Sequence, residues 1–162
     1  VYSVSKLNRM TSLLFALLLL SPLLSFAMPL KAETSEIPTE PTLFHIVLQK
    51  PEIEVHHERV LVEPNVWHEY VDIGGTLSRN HGNEYGPYEP YAVSVKINTV
   101  SPSGYKVTVS IKVAGITKWS GALGAGESSP TITCNDHTTY VQVINLNDDT
   151  VTYSGQIGLV YH

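Results

Sequence analysis

Tyr105-Lys106-Val107-Thr108-Val109-Ser110-Ile111-Lys112-Val113 alternates apolar and polar side chains without interruption. Side chains on an extended strand point to opposite faces in turn. Tyr105, Val107, Val109, Ile111 and Val113 therefore share one face, and lysine, threonine and serine take the other. On a helix the same residues would be scattered around the axis. The stretch reads as a strand with one buried side.

The period of two continues on either side. Val93, Val95 and Ile97 alternate with Ser94, Lys96 and Asn98, and Phe44, Ile46 and Leu48 oppose His45 and Gln49. Ser101-Pro102-Ser103-Gly104 places proline second and glycine fourth, as a type I turn favours, and predicts a hairpin between the flanking strands. A second hairpin is expected where residues 138–146 pass through Asn147-Asp148-Asp149 into residues 150–161. On that last strand Val151, Tyr153, Ile157 and Leu159 face inward, while Gly155 and Gly158 predict a bulge or a close backbone approach. Residues 52–62 change phase. Ile53 and Val55 set one face, Val60 and Val62 the other, and His56-His57-Glu58-Arg59 lies between, so a bulge or strand break belongs there. Beyond residue 27 no helical stripe is seen. Roughly seven to nine short strands with turn signals between them predict an all-β chain. The expected fold is a single antiparallel β-sandwich, immunoglobulin-like or jelly-roll in type, over residues 43–162.

The first 42 residues read differently. Lys6 and Arg9 precede an apolar run from Leu13 to Phe26, and Ser25-Phe26-Ala27 closes it with small residues at the cleavage positions. That order predicts a secretory signal peptide over residues 1–27. The run is shorter than the ~18 apolar residues of a membrane span. Residues 28–42 carry Pro29, Pro38 and Pro41 among Glu33, Glu36 and Glu40, and are expected to be a disordered linker. The expected location is secreted, with no membrane contact once the leader is removed.

Cleavage after Ala27 takes Lys6 and Arg9 with it, leaving 8 basic against 15 acidic residues and a net charge near −7. That balance argues against nucleic acid, whose binders cluster lysine and arginine against phosphates. The single cysteine, Cys134, cannot form an internal disulfide, so stability must come from an apolar core. Its place in Thr131-Ile132-Thr133-Cys134 predicts a small buried side chain.

Reactive motifs are scarce. His56 and His57 are adjacent, so on a strand they point to opposite faces, and a lone cysteine rules out the cysteine-rich zinc sets. The turns at Asn135-Asp136 and 147–149 flank one strand of nine residues, roughly 30 Å long, and cannot build a calcium site together. No metal or cofactor is expected. Glycine residues 121, 124 and 126 are not followed by the lysine and hydroxyl residue of a phosphate loop. Glu69, between Trp67 and Val71, is expected to be buried with a raised carboxyl pKa, but without a second placed carboxylate it does not indicate a glycosidase.

Residues 79–91 are the most unusual stretch: Arg79-Asn80-His81-Gly82-Asn83-Glu84-Tyr85-Gly86-Pro87-Tyr88-Glu89-Pro90-Tyr91. Proline biases its neighbours toward extended geometry, and a three-residue repeat would line Tyr85, Tyr88 and Tyr91 along one edge of a polyproline helix. Exposed tyrosines beside Arg79 and His81 are materials of a binding loop. If the following strands run up and down, Trp119 joins them at the same end. Arg79, His81, Tyr85, Tyr88 and Trp119 are thus the expected ligand-binding residues. The function they suggest is a non-catalytic extracellular binding module for a glycan or a cell-surface protein. The alternatives are a structural component of an extracellular layer, built by edge-strand association, and a small secreted hydrolase or toxin.

Overall fold

The computed structural model describes residues 45–162, so the expected signal peptide, the linker and residues 43–44 lie outside the described part. The period of two is realised as eleven strands, with no helix among the described residues. They are β1 (Val47–Gln49), β2 (Ile53–His56), β3 (Val60–Glu63), β4 (Val66–Leu77), β5 (His81–Tyr88) and β6 (Ala92–Ser101). After these come β7 (Val107–Val113), β8 (Ile116–Leu123), β9 (Ile132–Thr133), β10 (Thr139–Ile144) and β11 (Val151–Tyr161).

Two sheets form. The first runs β1-β5-β10-β7-β8, and the second runs β2-β4-β11-β6-β9, with β3 also on β4. Four antiparallel pairs are nested in the chain: β7 with β8, β6 with β9, β5 with β10, and β4 with β11. The chain is thus one long hairpin rolled up so that its two arms pass together from sheet to sheet. This is the jelly-roll form of the β-sandwich, and β1, β2 and β3 are additions along its edges. The core between the sheets takes Val71, Ile73, Val93, Val95, Ile97, Tyr153, Ile157 and Leu159 from one side. From the other it takes Tyr85, Val107, Val109, Ile111, Val141 and Val143. Cys134 lies in it too, 1% exposed, as expected of a small apolar side chain, and burial raises its thiol pKa.

Both expected hairpins need correction. The turn at Pro102 exists, with the Tyr105 amide donating to the Pro102 carbonyl, but β6 and β7 belong to different sheets. The same holds for β10 and β11 across residues 147–149. In each case the chain crosses from sheet to sheet, because the pairing partner of each strand lies farther along the nested arms. Within the roll the tight hairpin is one the turn residues advertised less strongly. Ala114 and Gly115 join β7 to β8 with φ of 50° and 78°, the two-residue mirror-image turn that matches strand twist. Alanine in the left-handed region is strained by roughly 1–2 kcal/mol. Ala114→Asn supplies the favoured Asn-Gly pair and is expected to stabilise the protein by about 0.5–1 kcal/mol. Denaturant unfolding checks this, and a loss of stability would contradict the turn geometry.

The phase change at residues 52–62 is a strand break, as the pattern predicted. β2 pairs with residues 71–74 of β4 and β3 with residues 66–68, along one interrupted edge. Gly155 marks a close approach, since a Cβ there would lie 2.5 Å from the Lys96 carbonyl oxygen, beside a register slip between β11 and β6.

Candidate functional site

The register between β2 and β4 sets Glu54 opposite Ile73 and His56 opposite Val71. Opposed residues share a face, and Val71 and Ile73 face the core. Glu54 and His56 therefore point into the sandwich, whereas Ile53 and Val55 point out and are 46% and 52% exposed. This strand has its polar side in and its apolar side out. Glu69 on β4 and Tyr161 at the end of β11 lie opposite Leu159 and Trp67 respectively, and continue the same inner face.

These side chains converge on Glu69, which is 7% exposed. His56 Nδ1 lies 2.6 Å from Glu69 Oε1, and Arg59 Nε donates to Glu69 Oε2 at 2.9 Å. Burial pushes the Glu69 carboxyl up, but the hydrogen bonds from His56 and Arg59 and their charges outweigh it, and the net shift is downward. The expectation of a raised value is thereby corrected: the carboxyl is buried, but its two donors came from residues outside the β4 pattern. The ionised carboxylate only accepts, so His56 donates through Nδ1 and turns Nε2 toward Glu54 Oε1, 3.5 Å away. Tyr88 donates to the same Glu54 oxygen at 2.7 Å, with its ring edge-on to His56. The Arg59 guanidinium sits 3.8 Å from the centroid of the Tyr161 ring, a cation–π contact. The Tyr161 hydroxyl is pushed up to about 12 by burial and then by Glu69.

A cleft of about 480 Å³ opens over this network, bounded also by Pro87 and Glu89. A neighbouring hollow of about 490 Å³ shares Arg59, Glu89 and Tyr161 and adds Trp67, Asp136 and His162. Together they make one groove with a charged wall and an aromatic one. Arg59 and His56 are about half exposed, so their outer nitrogens are available to a ligand. Trp67 is 41% exposed. Among the described residues no group of three or more His, Cys, Asp or Glu side chains is placed to hold a metal ion.

The residues expected to bind ligand are not brought together. Arg79 lies in the turn before β5 and pairs with Asp148 at 3.0 Å, and His81 bonds to the Arg79 carbonyl oxygen at the start of β5. Tyr88 ends that strand and lines the cleft. Trp119 is on β8, three strands from β5 and so about 14 Å across the sheet. Its half-buried ring packs against the core and fills the space a side chain at Gly121 would take.

The exposed tyrosine edge is also corrected. Tyr85 is 0% and Tyr88 5% exposed, because residues 81–88 form a strand, not a polyproline loop. The three-residue spacing is a period of two plus one slip. Tyr85 opposes Val141 and Tyr88 opposes Thr139, so one extra residue is looped into β5 near Gly86, whose φ is 107°. Both rings then face inward. Inside the core Asn83 Nδ2 donates to the Tyr153 hydroxyl, Tyr153 donates to Tyr85, and Tyr85 donates to the Gly74 carbonyl oxygen. Asn83 Oδ1 is buried without a partner.

No family model and no curated protein matches the chain. Among solved structures it is similar to Bacillus endospore appendages, a family of disulfide-linked pili, at 13% identity and a TM-score of 0.38, covering 64% of this chain and 98% of that one. It is also similar to a cupin superfamily protein from Desulfitobacterium hafniense, at 7% identity and a TM-score of 0.35, covering 74% of this chain and 88% of that one. At those values neither likeness says what this chain does.

Proposed function

We propose that residues 43–162 form a non-catalytic extracellular binding module, and that a glycan binds in the groove running from His56 past Arg59 to Trp67. The observation that carries this reading is the inverted strand β2. Most inward positions in the sandwich are apolar, yet on β2 Glu54 and His56 take them and leave Ile53 and Val55 in water. Such a breach of the burial pattern marks functional sites more often than stable cores. The groove offers what a polyhydroxylated ligand needs. Carboxylates and guanidinium N–H groups match hydroxyls, and Trp67 provides an apolar face for a sugar ring.

The test is a glycan array with the purified chain, followed by titration of the strongest saccharide. Trp67→Ala is expected to weaken that saccharide at least tenfold, roughly 1.4 kcal/mol, while the exposed position leaves stability within about 0.5 kcal/mol. An array on which no saccharide is retained, or a Trp67→Ala chain that binds like the wild type, would refute the reading. A cell-surface pull-down on the same chain then decides for a protein ligand.

A further inference from the structure

We infer that two copies of this chain associate through strand β3, as a two-fold pair centred on Leu61. The argument starts from where apolar surface is left in water. Of the thirteen large hydrophobic side chains that stand exposed among the described residues, ten lie between positions 46 and 70. They belong to the added edge strands and the start of β4, not to the rest of the roll. Val60, Leu61 and Val62 are 57%, 52% and 56% exposed, three of the four residues of one short strand. Contiguous apolar surface of this kind on a soluble domain marks a contact.

The edge is also open in its backbone. β3 pairs with β4 on one side only, and the strand contains no lysine or proline to block a neighbour. The occupant follows from charge. Arg59-Val60-Leu61-Val62-Glu63 reads the same in both directions except that its ends carry opposite charges. Antiparallel pairing about Leu61 sets Val60 across from Val62, Leu61 across from itself, and Glu63 of the second copy near Arg59, just before β3, whose Nε stays on Glu69 while its half-exposed outer nitrogens face the edge. Parallel pairing would set Arg59 on Arg59 and Glu63 on Glu63, like charges in both cases. A strand that is its own complement selects a second copy and an isologous contact. The ladder to β4 slips by one residue between Leu61 and Glu63, which adds twist and confines the pairing to this one segment. Association is therefore expected in the micromolar to sub-millimolar range.

Because Cys134 is buried, a new surface thiol can be read cleanly. The full chain carrying Leu61→Cys is expected to form a disulfide-linked dimer under mild oxidation. Ile116→Cys, more exposed but on the opposite edge of the roll, is expected to stay monomeric. Sedimentation of the wild type should show a concentration-dependent dimer, and Glu63→Lys, which sets like charges together twice, should raise its dissociation constant at least tenfold. A wild type that stays monomeric throughout that range overturns the inference. So does a dimer that survives Glu63→Lys or cross-links through Ile116→Cys instead. Glu63 does not border the proposed glycan groove, so saccharide binding by Glu63→Lys separates the two proposals.

Discussion

Tyr85→Ala is expected to cost about 3–5 kcal/mol of stability, the range for a large core aromatic whose cavity cannot fully collapse. Tyr85 is fully buried among residues of both sheets and is the last donor of a three-donor chain. Its removal leaves the Tyr153 hydroxyl without its acceptor and takes the side-chain donor from the Gly74 carbonyl. Burial also holds both phenol pKa values above the ordinary range, so neither hydroxyl can ionise as compensation. Tyr85→Phe keeps the ring and should cost about 1 kcal/mol. Tyr105→Ala makes the contrast. Tyr105 is only half buried, bonding to the exposed Asp149, and its loss should be clearly smaller. Denaturant unfolding of the three variants decides it. A Tyr85→Ala loss no larger than that of Tyr105→Ala would place Tyr85 at the surface after all.

Arg59→Ala should cost about 1.5–3 kcal/mol, the range for a hydrogen bond to a charged group. A fully buried pair would lose more, but Arg59 is half exposed and water screens it. The diagnostic is acid. The folded-state pKa of Glu69 is depressed, so its contribution is fully present above the ordinary carboxylate value and is lost as pH falls through the lower, folded one. Removing Arg59 takes away one of the two donors that hold it down. The acid limb of the stability curve should therefore move to higher pH in Arg59→Ala. Unfolding measured from neutral to acid pH tests this, and curves that stay parallel throughout would mean that Arg59 does not stabilise the buried carboxylate.

The all-β architecture was legible because alternation at residues 105–113 and 93–97 reports a half-buried strand directly. The break at residues 57–59 was legible for the same reason, as a change of phase. Strand partners were not. Turn chemistry at Pro102-Ser103-Gly104 says that the chain reverses, but not whether the strands leaving it bond to each other or to arms folded earlier and later. The binding groove was hidden by another limit of periodicity. Alternation shows that Ile53 and Val55 oppose Glu54 and His56, but which set faces inward is decided by the neighbour β4. The tyrosines were misread because a period of two with one slip at Gly86 imitates a period of three. Glu69 and Tyr88 stood out beforehand, whereas His56 was weighed only against a metal and Arg59 was seen only as part of a polar interruption.

The nested order of the strands has a kinetic side. Of the four nested pairs only β7 and β8 are joined by a tight turn, so pairing of the roll is expected to start at Ala114-Gly115 and to proceed outward through β6–β9 and β5–β10 to β4–β11. Each step closes a longer loop than the last, and the central strand of one sheet, β11, is the last of the eleven strands to be made. The second sheet therefore has no middle until residues 151–161 are free. A chain built this way closes late: its outer pairs add little until the last of its eleven strands slots between arms already in place.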